Sequence, residues 1–370
     1  STDTGVNLLE PGDNPKDNAQ FLLFLVAVIK AIDEYQDLMR ISVASAGNDH
    51  RLGANEAPPA IVSIFLGDEL TGILDSIADG KPINGKSKQK MELGVHVLPA
   101  IPKDTTDRNR TSPFAFTGNK FEFRMLGSSF SVAGPNIVLN TIVAKELNEF
   151  YQELCDAKDF EKAVSEIVKR TYIEHRNIVF NGNNYSPEWI DEAKKRGLLN
   201  LASAPDAYDR FIDKKNIDLF SKFGIYSPAE VNSRYEILNE EYSKTIHIEA
   251  LTMIDMINRQ ILPAVESFSS KLARTIKEKK EALPSLPLKA ESSRLEEVSG
   301  LTDDLYKALK DLTDNVDSSI EYSGSALAHY SRNEIIPAME EVRKYADKLE
   351  LIVDQTDWPY PTYGEMLFYV

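Results

Sequence analysis

The sequence predicts an α+β fold that is followed by a region of long helices. Residues 60–66 (AIVSIFL) and 121–125 (FEFRM) are short and rich in β-branched or aromatic residues, which is typical of strands. After about residue 205 the chain consists of long amphipathic patterns, with apolar positions at helical spacing and charged opposite faces. We therefore predict a mixed region to about residue 200 and a helical region after it.

Length, charge and cysteine content narrow the possible functions. The 370 residues, 42% of them hydrophobic, are enough for two domains with sizeable cores. The formal net charge of −16 argues against binding to nucleic acid and against binding to anionic membranes. Cys155 is the only cysteine, so a reducing, cytoplasmic location is expected. The most apolar run, residues 21–29, is far shorter than the roughly 20 residues of a membrane span and predicts a buried helix.

The first part of the chain is predicted to combine helices with short strands. A helix over residues 15–39 follows a polar, turn-rich start, with Asp13 or Asn14 as its cap. A short strand or buried segment over residues 60–66 comes next, and a helix over residues 68–78 follows it. Residues 80–113 are long and irregular, which in a compact domain is typical of a functional or mobile loop.

From residue 135 onward the pattern is helical. Helices are predicted over residues 136–156, 159–170, 187–196, 227–280, 292–315 and 318–353. Pro263 and Pro337 fall inside the fourth and the last of these patterns. Because proline removes a backbone donor, Pro263 should kink or end its helix.

Residues 47–59 (GNDHRLGANEAPP) have the composition of a loop that presents Arg51 and Glu56 to a site. Gly53 gives this loop conformational freedom, and the proline pair at its end fixes the exit. A flexible lid with one carboxylate could deprotonate a nucleophile and shield an intermediate from water. The alternative is an ordinary turn with a surface glutamate.

Residues 120–124 (KFEFR) alternate between charged and aromatic side chains. In a strand this spacing places Lys120, Glu122 and Arg124 on one face, opposite the two phenylalanines. A carboxylate between two cations can serve a divalent metal ion and a phosphate group at once. The alternative is a cross-strand ladder of salt bridges on a solvated face.

A second cationic cluster, Arg108 and Arg110 in DRNRTSP, lies just ahead of that strip. Guanidinium groups on such a loop could clamp a phosphate or carboxylate bidentately, whereas the alternative is a solvated charged loop. The five histidines are scattered without metal-ligand spacing, and no HExxH, Walker-type or GxGxxG motif occurs. Residue patterns alone thus leave the reaction open.

The same stretches resemble glutamine synthetase, specifically its long type III form. The matching residues are RISVASAGNDHRLGANEAPPAI (40–61), DRNRTSPFAFTGNKFEFRMLGSS (107–129) and AGPNIVLNTIVA (133–144). Two later stretches, FNGNNYSPEWIDEAKKRGLLNL and YSKTIHIEALTMIDM, resemble that form as well. The resemblance covers nearly the whole chain. It implies ATP-dependent ligation of ammonia to glutamate through a γ-glutamyl phosphate.

The resemblance also implies roles for the loop residues. Glu56 corresponds to the flap glutamate that closes the site and takes a proton from ammonium, and Arg51 to a substrate-side arginine. Arg110 corresponds to the arginine that stabilises the transferring phosphoryl group, and Arg108 is adjacent to it.

Further roles are implied for the strand residues. Glu122 corresponds to a metal-binding carboxylate, and Arg124 to an arginine that contacts substrate and phosphate. Lys120 stands where many relatives have arginine, so the charge is kept and the bidentate fork is lost. Residues 111–117 lack an arginine that shorter family forms carry.

For the fold, the resemblance implies that residues 1–200 are the C-terminal part of the catalytic domain, an antiparallel sheet with helices, and that residues 201–370 form a helical C-terminal domain. It implies Mg²⁺ or Mn²⁺ and ATP, the substrates glutamate and ammonia, and a ring-shaped homododecamer. Other metal ligands of the family precede the matching region, so we expect a C-terminal portion that is inactive alone. The alternatives are a related glutamate–amine ligase and a non-catalytic helical assembly or regulatory chain.

Overall fold

The computed structural model describes residues 2–54, 57–80, 90–91, 101–102, 111–361 and 363–368. The chain divides into two compact units, residues 1–235 and 236–370. The division falls within one long helix.

Helices predominate over strands in the described part of the first unit. Over the described residues they are α1 (Ala19–Glu34), α2 (Gln36–Ile41), α3 (Ala46–Asp49), α4 (Asp68–Asp79), α5 (Ala133–Cys155), α6 (Phe160–His175), α7 (Glu188–Lys195), α8 (Ala204–Tyr208) and α9 (Lys214–Lys222). Short 3-10 turns lie at Pro15–Asp17 and Arg176–Ile178. The helices predicted over 68–78, 136–156 and 187–196 are confirmed as α4, α5 and α7, with ends that differ by a few residues. The helix predicted over residues 159–170 is confirmed as α6, which continues to His175.

Short strands complete the described part of this unit. They are β1 (Ile64–Phe65), β2 (Lys90–Met91), β3 (Ile101–Pro102), β4 (Phe114–Phe116) and β5 (Phe121–Phe123). Strands β2 and β3 form a separate antiparallel pair, whereas the other three form one sheet in the order β1-β4-β5. The stretch predicted over residues 60–66 as a strand or a buried segment is a strand only near its end, as β1, and is buried throughout.

The three-stranded sheet is mixed, so the expectation of an antiparallel sheet is wrong in that respect. Strands β4 and β5 are antiparallel, because they are joined by a tight turn in which Thr117 N–H donates to Lys120 O at 2.8 Å. Gly118 occupies this turn with a φ of 96°, a conformation that favours glycine. Strands β1 and β4 pair in parallel, which the long connection containing α4 allows. The α+β class holds, although the sheet is small.

Helix α1 is the buried centre of the first unit. It packs against α5 and α6. Leu25, Val26, Ile29 and Ile32 have 0% exposed surface, and each such side chain contributes about 1.5–3 kcal/mol by leaving water. The apolar run at residues 21–29 is therefore a core helix, as predicted.

The same helix begins later than predicted. Its cap is Asn18, whose Oδ1 accepts a hydrogen bond from Phe21 N–H at 3.0 Å, and not Asp13 or Asn14. The single predicted helix is divided into the 3-10 turn at Pro15–Asp17, α1 and α2. Proline is compatible with the first turn of a 3-10 helix and with that of an α-helix. Pro15 therefore did not show which of the two begins at that position.

The described residues of the second unit form long helices and their connections. They are α10 (Pro228–Met256), which begins in the first unit, α11 (Leu262–Ala282), α12 (Lys289–Ser318), α13 (Gly324–Tyr330), α14 (Ile336–Glu350) and α15 (Tyr363–Phe368), with a 3-10 turn at Ser319–Glu321. Helix α12 packs against both α11 and α14. Apolar side chains from these three helices, among them Val265, Leu305 and Val342, are fully buried and form the core.

Pro263 disturbs its helix locally without ending it, so of the two predicted outcomes, a kink or an end, only the end is wrong, and Pro337 is accommodated in the same way. Just before each proline the helix widens into a five-residue π turn, at Ile257–Ile261 and Ser331–Ile335. In an α-helix the proline ring would clash with the carbonyl four residues back, and the extra residue of a π turn relieves that clash. The two segments also resemble each other, reading INRQILPAVE and SRNEIIPAME. The second unit thus accommodates both prolines by the same local widening of the helix into a π turn.

Among the helices that the structure describes, none combines the length and the apolar character needed to cross a membrane.

Candidate active site

The hairpin of β4 and β5 presents the charged strip, which consists of Lys120, Glu122 and Arg124, on one face. Its register pairs Phe114 with Phe123 and Ala115 with Glu122. The ring of Phe121 stacks on that of the buried Phe114 with centroids 4.9 Å apart, and the Phe123 ring lies 6.1 Å from it. Because side chains alternate along a strand, Glu122 lies on the opposite face. The predicted alternation is confirmed.

The Glu122 carboxylate is surrounded by donors from its own hairpin. Arg124 Nη2 and Nε donate to Oε2 at 3.0 and 3.3 Å, while Thr117 Oγ1 donates to Oε1 at 3.3 Å and Lys120 Nζ lies 3.8 Å from it. The hydrogen bonds from Arg124, together with its charge and that of Lys120, lower the pKa of Glu122 below 4.5. The ion pairs run along β5 and not across the sheet, since Ala115 lies opposite Glu122. Glu122 is therefore an ionised, half-exposed acceptor.

The loop predicted over residues 47–59 begins later, because residues 47–49 belong to α3, and the part after α3 is closed at its base by backbone hydrogen bonds. Gly53 N–H donates to Ala57 O at 3.2 Å and to Pro58 O at 3.0 Å, and Leu52 forms a parallel bridge with Ala57. The φ of Gly53 is 78°, so this position needs a residue without a Cβ. Glu56, the predicted flap glutamate, lies outside the described residues.

Arg51 connects this loop to the end of β5. Its Nη1 donates to Met125 O at 3.0 Å and to Asn48 Oδ1 at 3.3 Å, and its Nη2 donates to Arg124 O at 3.3 Å. Residues 47–54 and the end of the charged strip are thus in direct contact. The guanidinium of Arg51 itself is bonded to the main chain of β5's end.

Arg40 and Asp49 form a buried ion pair behind the loop, which the sequence analysis did not single out. Arg40 is 1% exposed; its Nη2 donates to Asp49 Oδ1 at 2.8 Å and its Nε to Leu201 O at 2.9 Å. The other oxygen, Asp49 Oδ2, accepts from Ala204 N–H at 2.6 Å at the start of α8. A lone arginine within the buried segment QDLMRI was the signal available, since a buried charge must be paired.

The structure therefore brings together four of the predicted site residues, namely Arg51, Lys120, Glu122 and Arg124. Lys120 is the most open of them, with 65% of its side chain exposed. Arg108 and Arg110 lie outside the described residues. The chain that follows them is nevertheless bonded to the strip, because Arg124 N–H donates to Pro113 O at 2.8 Å.

At this site the Glu122 carboxylate could serve as a ligand for a divalent cation. Its lowered pKa keeps the carboxylate ionised, and oxygen is the donor that Mg²⁺ prefers. Within the part of the chain that the structure describes, no group of three or more acidic, histidine or cysteine side chains is placed to hold a metal ion. Magnesium commonly uses one or two protein carboxylates together with phosphate oxygens and water, so Glu122 fits as one ligand.

Comparison with known proteins gives matches over the whole chain. It is 46% identical over 379 aligned positions to the type-3 glutamine synthetase of Dictyostelium discoideum, covering 100% of this chain and 51% of the relative. It is 44% identical to the glutamine synthetase of Butyrivibrio fibrisolvens, covering 99% of this chain and 53% of that protein. For the glutamine synthetase of Bacteroides fragilis (strain YCH46) the identity is 37%, over 99% of this chain and 52% of the relative. The chain spans about half the length of these relatives.

A narrower match agrees with them, since residues 163–280 correspond to the glutamine synthetase C-terminal domain. The chain belongs to the glutamine synthetase family. Within that family it corresponds to the type III form that its residue motifs resemble.

Proposed function

We propose that the protein carrying this chain joins ammonia to glutamate at the expense of ATP, and that this chain supplies part of the active site. The observation that carries the proposal is the ionised Glu122 with Arg124 on the open face of β5, to which Arg51 of the loop is bonded. Such a surface suits a reaction in which phosphate oxygens and a carboxylate must be held by cations.

In the proposed reaction the γ-phosphoryl group of ATP passes to a γ-carboxylate oxygen of glutamate, giving γ-glutamyl phosphate and ADP. Ammonium then loses a proton, ammonia forms a bond to the acyl carbon, and phosphate leaves with its bonding electrons. The nitrogen gives a second proton to the departing phosphate, which yields glutamine. Phosphoryl transfer needs mainly positioning and stabilisation of oxygen charge, so a site crowded with arginines suits it.

The protein side chains divide these tasks. Arg124 would contact glutamate and phosphate. Arg110 would stabilise the transferring phosphoryl group, and Arg108 beside it in the sequence would help to bind phosphate. Glu56 would close over the site and accept the ammonium proton. Arg51, whose guanidinium is bonded to the main chain of Arg124 and Met125, would be the substrate-side arginine.

Glu122 would hold a divalent cation, Mg²⁺ or Mn²⁺, through one of its oxygens. Bound there, the cation would neutralise charge on phosphate oxygens. Lys120, exposed and close to the same carboxylate, would add a further positive charge for phosphate.

The family also suggests the setting of this reaction. We propose a cytoplasmic, ring-shaped homododecamer without nucleic-acid or membrane partners, in which residues 1–200 contribute to the active site and residues 201–370 serve packing and subunit assembly. The long amphipathic helices of the second unit support that assignment.

The proposal is tested on the full-length protein by measuring ADP and amide product with glutamate, ATP and either ammonium or a panel of larger amines. We expect ammonium to be preferred, with glutamine as the product. Preference for a bulky amine would instead identify a glutamate–amine ligase, and absence of ATP turnover with every amine would identify a non-catalytic relative.

A single substitution tests the assignment of the loop. Glu56→Ala should impair the use of ammonium while the KM for ATP stays at the wild-type value, because the carboxylate acts on the nucleophile. Loss of ATP affinity with unchanged ammonium dependence would refute the role given to Glu56.

A further inference from the structure

Asn48 is an interior amide with partners on two sides. Its side chain is 1% exposed. Its Nδ2 donates to Val43 O at 2.7 Å and to Met125 O at 2.9 Å, while its Oδ1 accepts from Arg51 Nη1 at 3.3 Å. Both polar atoms of the side chain are therefore used, and they join the start of the loop to the end of β5.

The carbonyl groups that follow β5 receive hydrogen bonds from this loop at two successive residues. Met125 O accepts from Asn48 and from Arg51, and Arg124 O accepts from Arg51. On its other side, Arg124 N–H is held by Pro113 O at 2.8 Å. The main chain on both sides of the Arg124 Cα is thus fixed, which limits where the guanidinium can lie.

The main chain at Asn48 is itself held. Asn48 N–H donates to Ser45 Oγ at 3.1 Å. The next residue in the chain, Asp49, is held by Arg40 and by the N–H of Ala204. Asn48 therefore lies in a rigid setting from which it can hold the end of β5.

We propose that Asn48 is a positioning residue: through the main chain of Arg124 and Met125 it sets where the Arg124 guanidinium lies relative to Glu122 and the transferring phosphoryl group. The inference rests on the proposed function. It adds to that function a residue that touches neither substrate nor metal. A displacement of about 1 Å at a reacting centre can reduce a rate about 100-fold, so an anchor of this kind has a measurable effect.

A buried asparagine could also serve stability alone, and Asn184 offers a matched control. It is 0% exposed and its Nδ2 donates to Ser63 Oγ at 2.8 Å, a partner in neither the loop nor β5. Both Asn48→Ala and Asn184→Ala remove a buried amide. Only the first should affect Arg124.

The test is a double-mutant cycle on the full-length protein, with kcat/KM for glutamate in ATP-dependent glutamine formation as the readout. We expect Asn48→Ala to lower kcat/KM about 100-fold and to add little further loss in an Arg124→Gln background, because it acts through Arg124. Asn184→Ala should leave kcat/KM unchanged in both backgrounds. An equal loss from Asn48→Ala in both backgrounds, or an equal loss from Asn184→Ala, would overturn the inference.

Hydrogen exchange at the Arg124 amide provides a readout that needs no activity. Asn48→Ala should speed this exchange about tenfold and Asn184→Ala should not. If the wild-type protein formed no glutamine, the proposed function would fail, and the exchange rates would still decide on the anchor: equal rates in both variants would refute it. Should Asn48→Ala not fold, Asn48→Ser replaces it in both measurements with smaller expected effects in the same direction.

Discussion

Two clusters of charged side chains in the first unit differ in their access to water. Between α1 and α5, Glu146 has 0% of its side chain exposed and lies 2.7 Å from Lys30 Nζ and 2.8 Å from Lys145 Nζ. On β5, Glu122 is 41% exposed and its partner Arg124 is 21% exposed. Both clusters contain carboxylates held by more than one cation, and burial is what separates them.

This difference indicates which charges serve the fold and which can serve chemistry. A buried charge that loses its partner pays its full desolvation cost, so the ions around Glu146 cannot exchange partners. A half-exposed pair is screened by water and contributes little to stability, so Arg124 and Glu122 can turn to a phosphate group or a cation at small cost. Arg40 and Asp49 lie in the stretch 40–61 that resembles the family. Their side chains are only 1% and 10% exposed, so their charges serve the fold like those around Glu146.

The largest expected effect follows from breaking that motif pair. Asp49→Asn keeps the shape of the side chain and removes the carboxylate that pairs with the buried guanidinium of Arg40. We expect a loss of about 3–5 kcal/mol in the free energy of unfolding, measured by urea denaturation. Asp218→Asn, at an exposed pair with Lys214, is the control and should change it by under about 0.5 kcal/mol. If both variants had the same free energy of unfolding, the pair of Arg40 and Asp49 would not be important for stability.

A somewhat smaller loss is expected from the cluster on α5. Lys145→Met leaves Glu146 with Lys30 as its remaining cation, so unfolding should become easier by about 2–3 kcal/mol, less than for a fully orphaned charge. Lys162→Met is the control, since Lys162 is 71% exposed and pairs with Glu166 on the surface. A loss no greater than that of the control would show that the buried cluster is not structural.

The buried cluster around Glu146 should also make the free energy of unfolding depend on pH. Burial opposes the charged form of Lys145, but bonds to Glu146 and Glu34 outweigh it and raise the pKa above 10.5; Lys30 is raised likewise by Glu146 and Glu149. A raised lysine pKa stabilises the fold below the unfolded value, and this contribution is lost as pH rises through the folded value. Stability should therefore fall above about pH 10.4, and Lys145→Met should make that fall shallower in denaturation curves between neutral and alkaline pH. An unchanged slope would contradict the assigned coupling.

Local patterns in the sequence predicted the elements better than the contacts between them. The alternation of Lys120, Glu122 and Arg124 followed from a period of two, which depends only on strand geometry. The partners of Arg51 could not be predicted, because its donors go to main-chain carbonyls far along the chain, and a carbonyl has no sequence signature. For the same reason Arg40, bonded to Leu201 O, was missed.

The prolines show a second limit of sequence patterns. Proline predicts that an α-helix will break, but it does not reveal that a neighbouring turn can adopt the wider π form. Pro263 and Pro337 lie in matching stretches, and recognition of that likeness would have predicted the same outcome for both. The sheet was similarly underdetermined, since pairing of β1 with β4 depends on a long connection and not on either strand alone.

The most direct test of the comparison measures stability and activity together for Glu122→Gln in the full-length protein. Because the Glu122 pair is half exposed, the free energy of unfolding should change by under about 0.5 kcal/mol. Because the same carboxylate serves the proposed reaction, ATP-dependent glutamine formation should fall about 100-fold. Glu153→Gln, at a pair with Arg170 of similar exposure, should leave both quantities unchanged. Wild-type activity in Glu122→Gln, or a loss explained by unfolding, would contradict the account.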